Sequence, residues 1–108
     1  MTPSGESRGE YVIVWTYQVA AEHEKRFLDA YGPAGLWASL FAAARGYCGT
    51  ELIRCDEPCR FMTIDRWDCR AAYEEFRILH AAAYAALDDA CETLTLAEEH
   101  IATGTAIR

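Results

Sequence analysis

The sequence of 108 residues predicts an α+β fold of the ferredoxin-like, split βαβ type. Segments rich in β-branched and aromatic residues alternate with segments of helical periodicity, in the order β-α-α-β-β-α-β. This order predicts a four-stranded antiparallel sheet with its helices on one face. The length fits one domain, and we expect a flexible tail at residues 1–10 and a folded part at 11–108.

The first half of the chain predicts one strand and an interrupted helix. Residues 11–19 (YVIVWTYQV) are apolar at both alternating sets of positions, which is typical of a strand covered on both faces. A helix is predicted over 22–31, where Gly32 ends it and Pro33 begins a second helix. The apolar stripe of this second helix comprises Leu36, Trp37, Leu40, Phe41 and Ala44, with Arg45 and Gly46 at its end.

The second half predicts a hairpin, a long helix and a final strand. The hairpin strands are 47–55 and 60–68, and one helix follows over 68–91, with Asp68 as its N-cap. Spacing of three and four residues defines one face of that helix, formed by Tyr73, Phe76, His80, Ala83, Leu87 and Ala90. Residues 95–98 (TLAE) form a capping-box motif that predicts a short helical turn before a strand at 100–107.

The second face of the predicted sheet carries large apolar residues that the helices do not cover. Burying this face against another copy of the chain is the simplest solution, so we expect a homodimer formed through the sheet faces. The two sheets together would form a dimeric α+β barrel.

Charge and cysteine usage exclude several classes of protein. The formal net charge is −7 and no basic cluster occurs, which argues against nucleic acid as a partner. No apolar run approaches the roughly 18 residues of a membrane span, and residues 1–10 lack the apolar core of a signal peptide. Five unevenly spaced cysteines predict reduced thiols in a cytoplasmic protein, with no metal site.

Several motifs resemble the antibiotic biosynthesis monooxygenase-like family of dimeric α+β barrel proteins. The motifs are FLDAYGPAGLWASLF at 27–41, GYCGTEL at 46–52, FMTIDRW at 61–67 and AAYEEF at 71–76. The resemblance implies a pocket between the helices and the sheet of each subunit. It also implies one of several activities, because some members oxidise anthrones or quinols with dioxygen and no cofactor, some degrade haem and some isomerise their substrates.

Three residues are candidates for catalysis. Trp67 matches a tryptophan that haem-degrading relatives place in the pocket, although an ordinary buried aromatic residue fits the same position. His80 lies on an apolar helix face, where a neutral imidazole can accept a proton from a phenol or enol; a core histidine bonded to a carbonyl is the alternative. Asp65, flanked by apolar residues, becomes a base if burial raises its pKa.

The candidate binding residues are mainly aromatic. We expect them to form the pocket walls around His80, and they comprise Trp15, Trp37, Tyr73, Phe76 and Tyr84. Trp37 fits a pocket roof as well as core packing against Phe41. Arg66 can meet a substrate carboxylate or phenolate, or pair with an acidic neighbour such as Glu51.

The resulting hypothesis is a cofactor-independent monooxygenase that oxidises a small electron-rich aromatic or quinol with dioxygen. The alternative is a non-catalytic dimeric module that binds a small hydrophobic ligand. Haem binding through His80 is a third hypothesis, and the complete absence of asparagine argues against haem degradation, because the relatives that degrade haem use one.

Overall fold

The computed structural model describes residues 10–107, which form four strands and four α-helices. The strands are β1 (Tyr11–Gln18), β2 (Tyr47–Arg54), β3 (Arg60–Trp67) and β4 (Ala97–Thr105). The α-helices are α1 (Glu24–Tyr31), α2 (Leu36–Phe41), α3 (Arg70–Leu79) and α4 (Ala81–Cys91), and 3₁₀ turns at Ala21–His23 and Glu92–Leu94 precede α1 and β4. This order confirms the predicted α+β class, while the predicted tail lies, except for Glu10, outside the described residues.

The strands form one antiparallel sheet in the order β2-β3-β1-β4. Tyr11 lies opposite Trp67 and Tyr17 lies opposite Phe61, so the odd-numbered residues of β1 and β3 share one face. The helices cover this inner face, where Trp67 is 0% exposed and Phe61 is 1% exposed. Burying side chains of this size stabilises the fold by about 1.5–3 kcal/mol each.

The predicted uncovered face is present on the opposite side of the sheet. Val14 and Ile64 lie opposite each other there and are only partly buried. Met62 lies opposite Ile53, whose side chain is 39% exposed. In the described part of the chain, no helix is long and apolar enough to cross a membrane.

The Gly-Pro-Ala-Gly segment joins α1 to α2 in a tight turn. Gly32 caps α1, as expected, and its N–H donates to the carbonyl of Leu28. A Cβ atom on Gly35 would lie 2.6 Å from the carbonyl oxygen of Asp29, so this position requires glycine for the close approach of the backbone. The prediction that Pro33 begins the second helix was wrong, because α2 begins at Leu36 with Gly35 as its N-cap.

The long helix predicted over 68–91 is divided at His80, whose backbone leaves the helical region (φ −116°, ψ 28°). Residues spaced three and four apart across position 80 therefore do not lie on one continuous helix face. Asp68 is also not the N-cap, because Cys69 occupies that position and Asp68 instead accepts a hydrogen bond from the thiol of Cys48 at 3.2 Å.

The capping-box prediction was wrong as well. The hydroxyl of Thr95 donates to the carboxylate of Glu98 at 3.0 Å, but β4 begins at Ala97 and no helix follows. The same local hydrogen bond therefore stabilises the entry to an edge strand. The last strand covers 97–105 rather than 100–107.

Candidate functional site

A cavity of about 210 Å³ lies between the inner face of the sheet and the helices. Its floor consists of residues from all four strands: Trp15, Tyr17, Thr50, Thr63, Asp65 and Glu98. Its roof consists of residues from three helices: Tyr31, Trp37, Phe41, Tyr84 and Asp88. The volume is below the roughly 300–1,000 Å³ of pockets for drug-sized molecules, so the cavity suits a small ligand.

Asp65 is the ionisable group on the floor that is held by a hydrogen-bonded chain. The hydroxyl of Thr50 donates to Oδ1 of Asp65 at 2.6 Å. The hydroxyl of Tyr47 lies 2.6 Å from the same Thr50 oxygen and donates to it when Thr50 donates to Asp65. The register of β2 and β3 produces this contact, since Thr50 lies directly opposite Asp65. The carboxylate is therefore oriented from one side and leaves acceptor capacity on Oδ2.

Burial raises the pKa of Asp65 to about 6, and the hydrogen bond from Thr50 opposes part of this rise. A carboxylate with a pKa near 6 is mostly ionised at neutral pH and is a stronger base than an ordinary aspartate. Asp65 can therefore accept a proton from a hydroxyl group or an acidic C–H group of a ligand.

The roof is an aromatic surface built around Trp37. Its ring meets the ring of Tyr84 edge-on, with centroids 5.0 Å apart and an interplanar angle of 65°. The indole N–H of Trp37 is buried and has no hydrogen-bond partner among the described residues, and its polar neighbours are the hydroxyl of Tyr31 and the thiol of Cys91. This wall can hold the flat face of an aromatic ligand.

The tyrosines of the cavity stay protonated. Burial raises the pKa of Tyr17, and the same cause raises the pKa values of Tyr31 and Tyr84. The hydroxyl of Tyr17 shares a hydrogen bond of 3.0 Å with that of Thr63. These hydroxyl groups can therefore hydrogen-bond an oxygen atom of a ligand, but they do not act as bases near neutral pH.

Four of the sequence-predicted site residues line this cavity, namely Asp65, Trp15, Trp37 and Tyr84. Trp37 also packs against Phe41, with ring centroids 5.8 Å apart, so both alternatives considered for Trp37 are present together.

The other predicted residues lie elsewhere. His80 stacks on Phe76 with centroids 5.3 Å apart, beside residues 43–45 rather than in the cavity. Trp67 is fully buried between Phe76 and Tyr73. The hydroxyl of Tyr73 accepts a hydrogen bond from Arg77, 3.0 Å away.

Arg66 lies on the opposite face of the sheet and forms ion pairs there. Its guanidinium group is 2.8 Å from the carboxylate of Glu51 and 3.4 Å from that of Glu10. These pairs match the salt-bridge alternative that the sequence suggested for Arg66 and Glu51. Arg66 is therefore not available to a ligand in the cavity.

Several cavity residues were not identified from the sequence, and a usable signal existed for one of them, Thr63. Thr63 and Asp65 are polar residues two positions apart, between the apolar Phe61 and Trp67 on the same face of β3. A polar pair on an otherwise apolar strand face indicates a wet or functional position. Asp88 and Glu98 gave no such signal, because acidic residues near helix and strand ends are common on surfaces.

The donor set does not fit a haem site. None of the three histidines lines the cavity, and His80 lies on the other side of Phe76. Among residues 10–107, no group of three or more His, Cys, Asp or Glu side chains is arranged to hold a metal ion, and all five cysteines are free thiols. No step of the proposed chemistry therefore involves haem.

Comparison with solved structures identifies the same fold in other proteins. A protein from Nitrosomonas europaea, provisionally described as an antibiotic biosynthesis monooxygenase, has a TM-score of 0.72 at 14% identity, covering 94% of this chain and 95% of that one. SnoaB, a cofactor-independent oxygenase from Streptomyces nogalater, has a TM-score of 0.68 at 22% identity, covering 94% and 96%. A dimeric ferredoxin-like protein from an uncultured marine organism has a TM-score of 0.64 at 14% identity, covering 94% and 90%.

These likenesses confirm the predicted ferredoxin-like fold over nearly the whole chain. Two of the three proteins are described as oxygenases, one of them provisionally. No family model and no curated protein matches the sequence.

Proposed function

We propose that this protein is a cofactor-independent oxygenase of the antibiotic biosynthesis monooxygenase-like family, acting on a small electron-rich aromatic substrate. The observation that carries the proposal is Asp65, a base with a raised pKa on the floor of an aromatic-walled cavity. The motifs of the sequence and the description of SnoaB as a cofactor-independent oxygenase support the class of reaction.

The proposed reaction begins with proton transfer to Asp65. A hydroxyarene, or the enol form of a ketone such as anthrone, gives its hydroxyl proton to the free oxygen of the carboxylate. The resulting anion is electron-rich and passes an electron to dioxygen, after which a carbon–oxygen bond forms at the activated ring carbon. The peroxide formed at this C–H carbon takes the proton back from Asp65, and loss of water then converts the carbon to C=O. One oxygen atom enters the product, the other leaves as water, and the substrate supplies all the electrons.

The remaining cavity residues position the substrate. Trp15 on the floor and Trp37 on the roof provide flat apolar surfaces for a ring. The paired hydroxyls of Tyr17 and Thr63 lie on the same floor as Asp65 and can bind a second oxygen of the substrate. Holding the acidic hydroxyl at Asp65 and the reacting carbon away from bulk water favours the productive geometry.

Incubation with anthrone under isotopically labelled dioxygen tests the proposal. We expect oxygen uptake and a quinone product that carries one labelled oxygen atom, with mass spectrometry as the readout. Asp65→Asn keeps the shape of the side chain and removes the base, so the rate should fall by roughly 10²–10⁴-fold.

Two other outcomes would contradict the oxygenase proposal. A ligand that protects the protein against unfolding but is recovered unchanged would favour the non-catalytic binding module instead. Label that enters the product equally without protein would show that the protein does not catalyse the reaction, and equal incorporation by the wild type and Asp65→Asn would show that Asp65 is not the base.

We also propose that a second copy of the chain covers the outer face of the sheet. Val12 and Val14 form a shallow groove with Ala102 and Gly104 at the β1–β4 edge of this face. The apolar face is continuous with Ile64 and Met62, and the similar protein from an uncultured marine organism is described as dimeric. Light scattering coupled to size exclusion should give twice the chain mass, and Ile64→Glu should give a monomer; a wild-type monomer at micromolar concentration would contradict the proposal.

A further inference from the structure

The cavity has an unusual balance of charge for a site that is proposed to form a substrate anion. Asp65, Asp88 and Glu98 line it, and no lysine, arginine or histidine is among its lining residues. The three carboxylates come from β3, α4 and β4, so the fold brings them together from distant parts of the sequence. Asp88 and Glu98 are exposed and mark the open side, whereas Asp65 is partly buried on the floor.

Two cationic or titratable groups lie near this cavity, but each is behind an aromatic ring. The guanidinium carbon of Arg77 lies 3.9 Å from the centre of the Tyr84 ring, and its N–H groups also bind the hydroxyl of Tyr73. The imidazole of His100 packs on Trp15 with centroids 5.3 Å apart and lies 2.6 Å from the hydroxyl of Thr103. Neither residue lines the cavity, and Arg77 interacts electrostatically with Asp88 from behind the Tyr84 ring.

The walls between the carboxylates are aromatic. Trp37 and Tyr84 meet edge-on in the roof, and Trp15 lies on the floor. The faces of such rings attract cations, and tryptophan does so best. Aromatic side chains that surround the ligand are a recurring arrangement for the recognition of ammonium groups.

We infer that the cavity selects a substrate whose aromatic ring carries a positively charged amine. The inference rests on the proposed function for the identity of the reacting ring, and it adds the chemical class of the substituent. The ring lies between the tryptophans, the ring hydroxyl meets Asp65, and the ammonium group lies toward Asp88 and Glu98.

This charge arrangement also suits the first chemical step. When the ring hydroxyl gives its proton to Asp65, the carboxylate becomes neutral and the ring oxygen becomes negative. The ammonium group of the same molecule then offsets the new charge, and the total charge of the occupied cavity does not change. A substrate that enters as an anion would instead be repelled by all three carboxylates.

Ligand binding without turnover tests the inference separately from the oxygenase proposal. The probes are tyramine, para-ethylphenol and para-hydroxyphenylpropionate, which share a phenol ring and differ in charge. Tryptophan fluorescence or calorimetry at pH 8 and low salt should show that tyramine binds at least about tenfold more tightly than the neutral phenol. The anionic probe should bind most weakly, and added salt should reduce the preference for tyramine.

Neighbouring residues provide matched controls. Asp88→Asn combined with Glu98→Gln should abolish the preference for tyramine while para-ethylphenol binds as before. Asp89→Asn combined with Glu99→Gln removes the same charge from residues that do not line the cavity, and the preference should remain. All four side chains are exposed, so these substitutions are compatible with folding.

Equal binding of the three probes, tighter binding of the anion, or equal effects of the two double variants would overturn the inference. Binding of tyramine with the expected preference but without oxygen uptake by any aminated phenol or by anthrone would support the amine site and contradict the oxygenase. Oxygen uptake with anthrone together with no preference for tyramine would support the oxygenase and contradict the amine site.

Discussion

Two aromatic clusters lie side by side between the sheet and the helices, one packed around Trp67 and the other lining the cavity above Asp65. The closed cluster consists of Tyr47, Trp67, Tyr73 and Phe76, in which the ring of Trp67 lies within 5.4 Å of each of the other three rings. The cavity lies beside it, where Thr50, Thr63 and Asp65 form part of the floor. The two regions share the inner faces of β2 and β3. The register of β2 shifts between Tyr47 and Gly49, whereas within β3 the two regions differ by side-chain size and polarity.

Within β3, the difference between one large and one small side chain separates the packed cluster from the cavity. Asp65 and Trp67 are two residues apart and project to the same side of the sheet. The indole fills its space completely, whereas the short carboxylate and the neighbouring threonines leave room for a ligand. We therefore expect the closed cluster around Trp67 to stabilise the fold and the cavity above Asp65 to carry the chemistry.

Truncation of Trp67 should have the largest effect on stability. Trp67→Ala removes a side chain that is 0% exposed and should cost about 3–5 kcal/mol in the free energy of unfolding. Trp15→Ala removes a partly exposed cavity wall and should cost clearly less. Urea denaturation of both variants gives the comparison, and equal losses would contradict the division into a closed cluster and an open cavity.

Asp65→Asn should stabilise the protein, in contrast to Trp67→Ala. The pKa of Asp65 is raised from 3.8 to about 6, so the folded state binds more protons than the unfolded state between these values. Its contribution to stability is therefore present at low pH and is lost as the pH rises through this window. At pH 8, Asp65→Asn should be more stable than the wild type by about 1–3 kcal/mol.

Thermal or urea unfolding between pH 4 and 8 checks this prediction. The difference between the two proteins should grow as the pH rises and become constant above about pH 7. A difference that is independent of pH, or a loss of stability in Asp65→Asn at pH 8, would show that Asp65 is not held with a raised pKa.

The hydrogen-bonded chain from Tyr47 to Asp65 should set the pH at which the site becomes active. The base must be ionised, so the rate of oxygen uptake should rise with pH through about 6. Thr50→Val removes the donor to the carboxylate and should move this midpoint upward by about one pH unit. Tyr47→Phe removes only the second link and should move it less.

A pH–rate profile for each variant distinguishes this role from simple packing. A lower maximal rate with an unmoved midpoint would assign Thr50 to structure only. A larger shift in Tyr47→Phe than in Thr50→Val would contradict the order of the chain.

The fold was predictable because its signals are local and repeated. The β-branched segment that forms β1 and the hairpin turn between β2 and β3 both specify structure within a few residues. Gly32 was identified as the end of α1 in the same way, since glycine next to proline is a local stop signal. The likeness to solved structures over 94% of the chain agrees with this reading.

The site was predictable only in part, because it depends on where the helical periodicity is interrupted and on the register of the strands. His80 was placed on a pocket-facing stripe by continuing helical spacing through residue 80, where the backbone departs from the helix. The contact between Thr50 and Asp65 depends on strand register, which a shift of one residue would have reversed. Asp65 itself was identified, since a carboxylate between apolar residues on a strand is informative without any knowledge of register.

Oxygen uptake by Asp65→Asn and His80→Ala, measured side by side with the wild type on one substrate, tests the location of the site most directly. If the cavity floored by Asp65 is the active site, Asp65→Asn loses at least about 10²-fold in rate and His80→Ala stays within about twofold of the wild type. The opposite result, with loss of activity in His80→Ala and full activity in Asp65→Asn, would place the chemistry beside residues 43–45 and contradict this account.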